Sequence, residues 1–137
     1  SQERAEETIE QISSRANPQL LTAVEVPSDK EALAVAQSTD VVFAAGAAGV
    51  QFLPDGWLDL AESIAVAVDI NAVPPVGLAG IDAMDAGVKR GNDTICYGAI
   101  GVGGLKMRIH KACIKALFET NNKLFGTHEI HEVAMHF

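Results

Sequence analysis

Asp69-Ile-Asn71-Ala72-Val-Pro74-Pro75-Val-Gly77-Leu-Ala-Gly80-Ile-Asp82-Ala-Met-Asp85-Ala-Gly87 is the stretch around which the chain is organised. A mostly apolar run over 64–70 leads into it, and its prolines and glycines follow directly. A buried strand that empties into a ligand-facing loop has this form. Pro74 and Pro75 fix φ and remove N–H donors. Gly77, Gly80 and Gly87 permit positive φ or close approach of another backbone. Asn71, Asp82 and Asp85 bring polar groups to the same place. In open α/β sheets ligands sit outside the carboxyl ends of the strands. The alternative reading is a rigid structural loop.

Outward from this stretch, strands and helices alternate. Residues 94–100 form an apolar strand that ends in Gly101-Val-Gly103-Gly104, which turns directly into a long helix reaching about Thr120. Residues 128–136 suggest a last short helix. Towards the N-terminus, the short apolar run 41–45 reads as a strand opening into Gly46-Ala-Ala-Gly49, and Pro54-Asp55 starts a short helix through Trp57 and Leu60. Ser28 and Glu31 form a capping box for a helix running to about Gln37. Residues 20–26 read as a further strand. Ala5, Ile9 and Ile12 recur at helical spacing in a helix over 2–16 that Asn17-Pro18 ends. This alternation predicts an α/β domain, four parallel strands flanked by helices. The loop over 71–92 is long, as functional loops are, and its Pro and Gly content predicts an ordered one.

Composition narrows the function. The 137 residues fit one domain, 48% of them are apolar and only 5% aromatic, as in buried parallel strands packed closely on helices. A net charge of −8 disfavours nucleic-acid and anionic-membrane partners, which demand a basic surface. An anionic cofactor stays compatible, because backbone N–H groups bind phosphate without side-chain charge. Cys96 and Cys113 fit no metal or redox spacing and read as buried reduced thiols of a cytoplasmic protein. No apolar run approaches the about 18 residues of a membrane span, and no signal peptide is visible. The chain opens at Ser1 without Met, so a piece of a longer polypeptide is expected.

Three strand ends carry small residues: Ala45, Gly46, Ala47, Ala48 and Gly49; Asn71 and Ala72; and residues 98–104. They lie on one edge of a parallel sheet, where a flat, phosphate-bearing cofactor meets backbone rather than side chains. Gly101-Val-Gly103-Gly104 is not the dinucleotide fingerprint, since Lys106 stands where the third glycine would be. Lys106, in the first turn of the long helix, opposes the macrodipole. A solvated surface lysine is one reading and a functional charge the other. His110 follows at i+4, and Leu105, Ile109, Ala112, Ala116 and Leu117 are expected to form an opposite, core-facing stripe. His128-Glu-Ile-His131 lacks the i,i+4 pair of a zinc helix, so no metal is expected. No catalytic Ser/His/Asp or Cys/His arrangement emerges, and nothing resembles a P-loop.

The 69–87 block closely resembles one in the NAD(P)-dependent methylene-tetrahydromethanopterin/methylene-tetrahydrofolate dehydrogenases of methylotrophic bacteria. So does Gly98-Ala-Ile-Gly-Val-Gly-Gly-Leu-Lys-Met-Arg-Ile-His-Lys-Ala-Cys-Ile-Lys-Ala-Leu-Phe-Glu119, and Phe43-Ala-Ala-Gly-Ala-Ala-Gly49 is similar to the turn after that family's fourth cofactor-domain strand. The resemblance implies hydride transfer from the methylene carbon of a tetrahydropterin one-carbon carrier to NADP, or to NAD, giving the methenyl form. Hydride loss leaves a cation stabilised by two adjacent nitrogens, so positioning and electrostatics suffice and no nucleophile, metal or general base is required. By resemblance, Lys106 points at the pterin near the reacting carbon. Asn71 and Ala72 contact the nicotinamide end, and Ala45, Gly46 and Ala47 lie along the cofactor. Gly101 belongs to the same edge, and Arg4 helps hold the 2′-phosphate of NADP.

The resemblance also implies a Rossmann-like parallel sheet that lacks its first two strands and its Gly-rich phosphate loop in this chain. Residues 1–137 thus read as a partial NAD(P)-binding domain, homo-oligomeric or complemented by another polypeptide segment. In the 3-2-1-4-5-6 order, the missing strands would separate residues 20–26 from the other strands. Two competing readings are an NADP-binding domain of another dehydrogenase, of the shikimate dehydrogenase type, and a truncated Rossmann-like module without catalysis.

Overall fold

The computed structural model describes residues 1–13 and 20–137. Its elements are α1 (Gln2–Ile12), α2 (Asp29–Ala36), β1 (Val41–Ala44), α3 (Trp57–Leu60), β2 (Val66–Asp69), β3 (Ala86–Arg90), β4 (Thr94–Gly98), α4 (Gly103–Glu119) and α5 (Thr127–Ala134). Four strands form one sheet in the order β1-β2-β4-β3. The β1–β2 and β2–β4 pairs are parallel, and β3 pairs antiparallel with β4. The architecture is Rossmann-like α/β, a mixed and mostly parallel sheet flanked by helices.

Register explains the two faces of the sheet. Val42, Ala67 and Cys96 stand in one row, with Phe43, Val68 and Tyr97 in the next. The first row faces the core, where Ala67 and Cys96 are fully buried among Ala36, Leu53, Trp57, Ala61, Ile64, Leu78 and Ile81. The small side chains of this row let α2, α3 and the 77–81 segment pack closely. Trp57 supplies the bulk, and its indole N–H donates to the Ala79 carbonyl at 2.8 Å, which removes the cost of burying that donor. The second row is apolar but less covered, and Phe43 is 70% exposed.

Ser28 caps α2 as expected, but Glu31 returns to the Ser28 hydroxyl rather than to its backbone N–H. The Ser28 hydroxyl accepts from the Glu31 N–H at 3.4 Å and donates to the Glu31 carboxylate at 2.5 Å. Three of the expected strands appear, as β1, β2 and β4.

Two expectations are corrected. The strand expected at 20–26 does not form: residues 21–27 adopt no regular secondary structure, and Leu20 is 81% exposed. β1 is the outermost strand on that side of the sheet. A segment with no adjacent strand has no ladder to join, and here the Ala23 carbonyl accepts from the Gln2 side-chain amide at 3.2 Å instead. The long 71–92 loop, in turn, contains β3. The turn Gly91-Asn92-Asp93 is left-handed at both ends, with φ +50° at Gly91 and +66° at Asp93. Asn92 donates to the carbonyls of Leu58 and Asp59, which docks the turn on α3. The helix expected over 2–16 is observed as α1, while its last residues and the Asn17-Pro18 stop lie outside the described residues.

Candidate functional site

Ala44, Asp69 and Gly98 are register partners, so the loops that follow β1, β2 and β4 leave the sheet from one row. Of the residues singled out in the sequence, Ala45, Gly46, Ala47, Asn71 and Ala72 fall on this edge directly. The Asn71 amide N–H donates to the Ala47 carbonyl at 3.2 Å, joining the first two loops. Its carbonyl oxygen accepts from the Val73 N–H at 3.2 Å. One amide N–H and one lone pair of Asn71 are left over. Ala45, Gly46, Ala47 and Ala72 are exposed.

Not every glycine of this edge offers bare backbone to a ligand. A Cβ on Gly46 would lie 1.9 Å from the Phe52 ring, and one on Gly101 would lie 1.6 Å from the Asp85 carbonyl oxygen. The chain itself fills both notches. Gly103 and Gly104, at the start of α4, have no other atom within 4 Å of where a Cβ would stand, and at Gly49 only the Pro74 carbonyl comes as near as 3.9 Å. The approachable backbone is therefore at Gly49, Gly103 and Gly104. A flat group could approach backbone at these three positions without meeting a side chain. Among the described residues no glycine-rich strand-to-helix turn precedes β1 to hold a pyrophosphate.

Half of the 69–87 stretch is scaffold. The Gly77 carbonyl accepts from the N–H groups of Phe52 and Leu53 at 2.7 and 3.2 Å, and Ala79 N–H donates to the Leu53 carbonyl at 3.1 Å. Asp85, read from the sequence as a polar group of the ligand loop, is 5% exposed. It takes a two-pronged contact from Arg90 at 2.6 and 2.7 Å and accepts from the Asp82 N–H at 2.9 Å. The Arg90 guanidinium holds the Asp85 carboxyl below the ordinary carboxylate range, and the carboxylate raises Arg90 in turn. Burial pushes the Cys96 thiol up. Cys96 and Cys113 are both free and buried.

Lys106 lies in the opening turn of α4, exposed, and lines a groove of about 540 Å³ with Leu105, Ile109, His110, Cys113 and Phe125. Lys106 and His110 do share a face. The stripe expected opposite them as core is not core: Leu105, Ile109 and Leu117 line the same groove, and Leu105 and Leu117 are exposed. The reason is packing, since α4 lies chiefly against α5. Arg4 is exposed on α1, and no hydrogen bond or ion pair among the described residues joins its side chain to the strand-end edge. On α5, His128 faces Glu132 at 3.4 Å, and among the described residues no three His, Cys, Asp or Glu side chains converge to hold a metal.

Sequence reasoning missed Phe52, which covers Gly46, and β3. The turn Gly91-Asn92-Asp93 carried a hairpin signal. The bulge at Gly87, where φ is +78° and the β3–β4 register shifts, hid the strand's alternation.

No protein-family model matches the chain. The chain is 40% identical over 114 residues to a protein of Methylorubrum extorquens named "Bifunctional protein MdtA", covering 83% of this chain and 39% of that protein. It is 38% identical over 87 residues to the same organism's "NAD(P)-dependent methylenetetrahydromethanopterin dehydrogenase", covering 62% of this chain and 29% of that protein. The chain is thus similar over most of its own length to these two proteins, and it spans well under half the length of either.

Proposed function

We propose that this chain is the nicotinamide-facing part of a methylene-tetrahydropterin dehydrogenase. The observation that carries the reading is the row Ala44–Asp69–Gly98, from which three small-residue loops leave the sheet at one edge. The likeness to the Methylorubrum dehydrogenase supports the choice of reaction. The nicotinamide, when bound, is the hydride acceptor. Asn71 and Ala72 hold that end, and Ala45, Gly46 and Ala47 flank the rest of the cofactor. NADP is favoured over NAD on Arg4 alone. Lys106 orients the pterin through its polar edge and tunes charge near the reacting carbon. It does not act as a base, because hydride loss releases no proton from that carbon. The reduced, unpaired cysteines suit a cytoplasmic setting.

The open edge of β1, with Val41 and Phe43 exposed, leads us to propose a second component, a further polypeptide segment that extends the sheet. A cavity of about 460 Å³ runs along this edge between β1 and α2, lined by Val26, Val35, Val41 and Phe43 among others. The reading is tested by absorbance at 340 nm in the longer polypeptide, with a methylene-tetrahydropterin and NADP or NAD. Reduction of the dinucleotide is expected, and its absence overturns the reading. Lys106→Ala is expected to cut turnover about 10²-fold, the scale of one positioned electrostatic group, with dinucleotide affinity little changed. Near-normal turnover would remove Lys106 from the site. Calorimetry on the 137-residue chain alone should show NADP binding weaker than the micromolar range.

A further inference from the structure

Asp69 has no assigned role, yet its position is unusual. It ends the central strand β2 and is 1% exposed. Among the described residues no cationic side chain pairs with it. A carboxylate removed from water is costly unless its oxygens are hydrogen-bonded. Here each oxygen accepts one backbone N–H: Oδ1 from Asn71 at 2.9 Å and Oδ2 from Leu78 at 2.8 Å. The donors stand at the two ends of the 71–78 loop, so one side chain holds both ends at one point. Gly77 comes close enough that a Cβ there would lie 3.2 Å from Asp69 Oδ1 and 3.0 Å from the Ala44 Cβ. The loop is thus seated on the Ala44–Asp69 row. From the pinned end, Asn71 reaches across to the Ala47 carbonyl.

We propose that Asp69 is the positioning residue of this edge: its carboxylate fixes where the 71–78 loop leaves the sheet and thereby aims the Asn71 amide at the loop after β1. Apolar strand-end residues could fill the same volume but could not accept the two N–H groups. The placement of the loop stands on this geometry, and its bearing on cofactor affinity rests on the hydride-transfer reading.

Asp69→Asn tests the proposal, because it keeps shape and one acceptor while turning a donor towards the other N–H. Residue-resolved amide exchange on the 137-residue chain should show Asn71 or Leu78 exchanging at least about tenfold faster, the scale of one charge-assisted hydrogen bond. Ala79 and Ile95, whose N–H groups donate to the Leu53 and Ala65 carbonyls, should stay protected. Asn71→Ala should loosen residues 45–49 and leave the Leu78 amide protected. Unchanged exchange at 71 and 78, or a uniform rise through β2 and β4, overturns the positioning role. In the longer polypeptide, Asp69→Asn should raise KM for the dinucleotide with KM for the one-carbon carrier unmoved. A loosened loop with an unmoved dinucleotide KM overturns the cofactor reading of this loop, and leaves the pinning by Asp69 intact.

Discussion

The two edges of the sheet are finished differently. At one edge β3 carries Lys89 and Arg90, bulges at Gly87 and is braced by the buried Asp85. Charge and a bulge are how proteins blunt an edge strand. At the other edge β1 carries Val41 and Phe43, 46% and 70% exposed, beside an apolar cavity. Parallel sheets are normally covered on both faces. The first edge is complete within the chain, while the second has the character of an interior surface. The sheet is thus blunted on the β3 side and apolar and exposed on the β1 side.

The largest test of this contrast is Gly101→Ala. The added Cβ would meet the Asp85 carbonyl oxygen 1.6 Å away, and backbone cannot give way as a flexible side chain can. A loss of about 3 kcal/mol or more is expected, the upper range of overpacking, read from the urea midpoint. A midpoint within error of wild type would show that the completed edge is soft.

Asp85→Asn comes next, at about 2 kcal/mol, because it leaves the partly solvated Arg90 without its charged partner. Its pH signature is specific. Asp85 titrates lower folded than unfolded, so its contribution is fully present above the unfolded value of about 4 and is lost as pH falls through the folded value. Urea midpoints measured from pH 7 downwards should converge for variant and wild type at acid pH. Parallel profiles would contradict the assignment.

Gly104→Ala should act in the opposite direction. The position is helical and open, so a gain of about 0.5–1 kcal/mol is expected from reduced unfolded-state entropy, measured as a raised Tm. The smallest effect is predicted for Phe43→Thr, within about 0.5 kcal/mol in this chain, as for other exposed sites. In a longer polypeptide that covers β1, the same substitution should cost about 3 kcal/mol. Equal small effects in both would mean that the edge stays open.

Much of this was readable from residues. Apolar runs ending in small residues marked β1, β2 and β4 and aligned their loops, and Ser28 with Glu31 marked the start of α2. The misread elements depend on tertiary partners. Residues 20–26 have strand composition, but a strand exists only beside another strand. The apolar stripe of α4 has core periodicity, but periodicity does not say what lies opposite. In the sequence, Gly46 and Gly101 read as bare backbone open to a cofactor. What approaches them is Phe52 and the Asp85 carbonyl, and only the folded chain could reveal that. The two long blocks that carry the resemblance to the dehydrogenases also hold residues that pin loops, such as Asp69, Gly77 and Asp85.

The β3–β4 hairpin also has a consequence in time. Its closing pair, Arg90 with Thr94, is joined by a three-residue turn, whereas the parallel pairs join Val41 with Val66 and Val66 with Ile95. Short turns close in about 1–10 μs, and distant pairs must first bear the entropy of closing long loops. On loop length alone the hairpin closes first and offers β4 as a template to the more distant β2. The blunted edge of the sheet is thus also the edge that is set earliest.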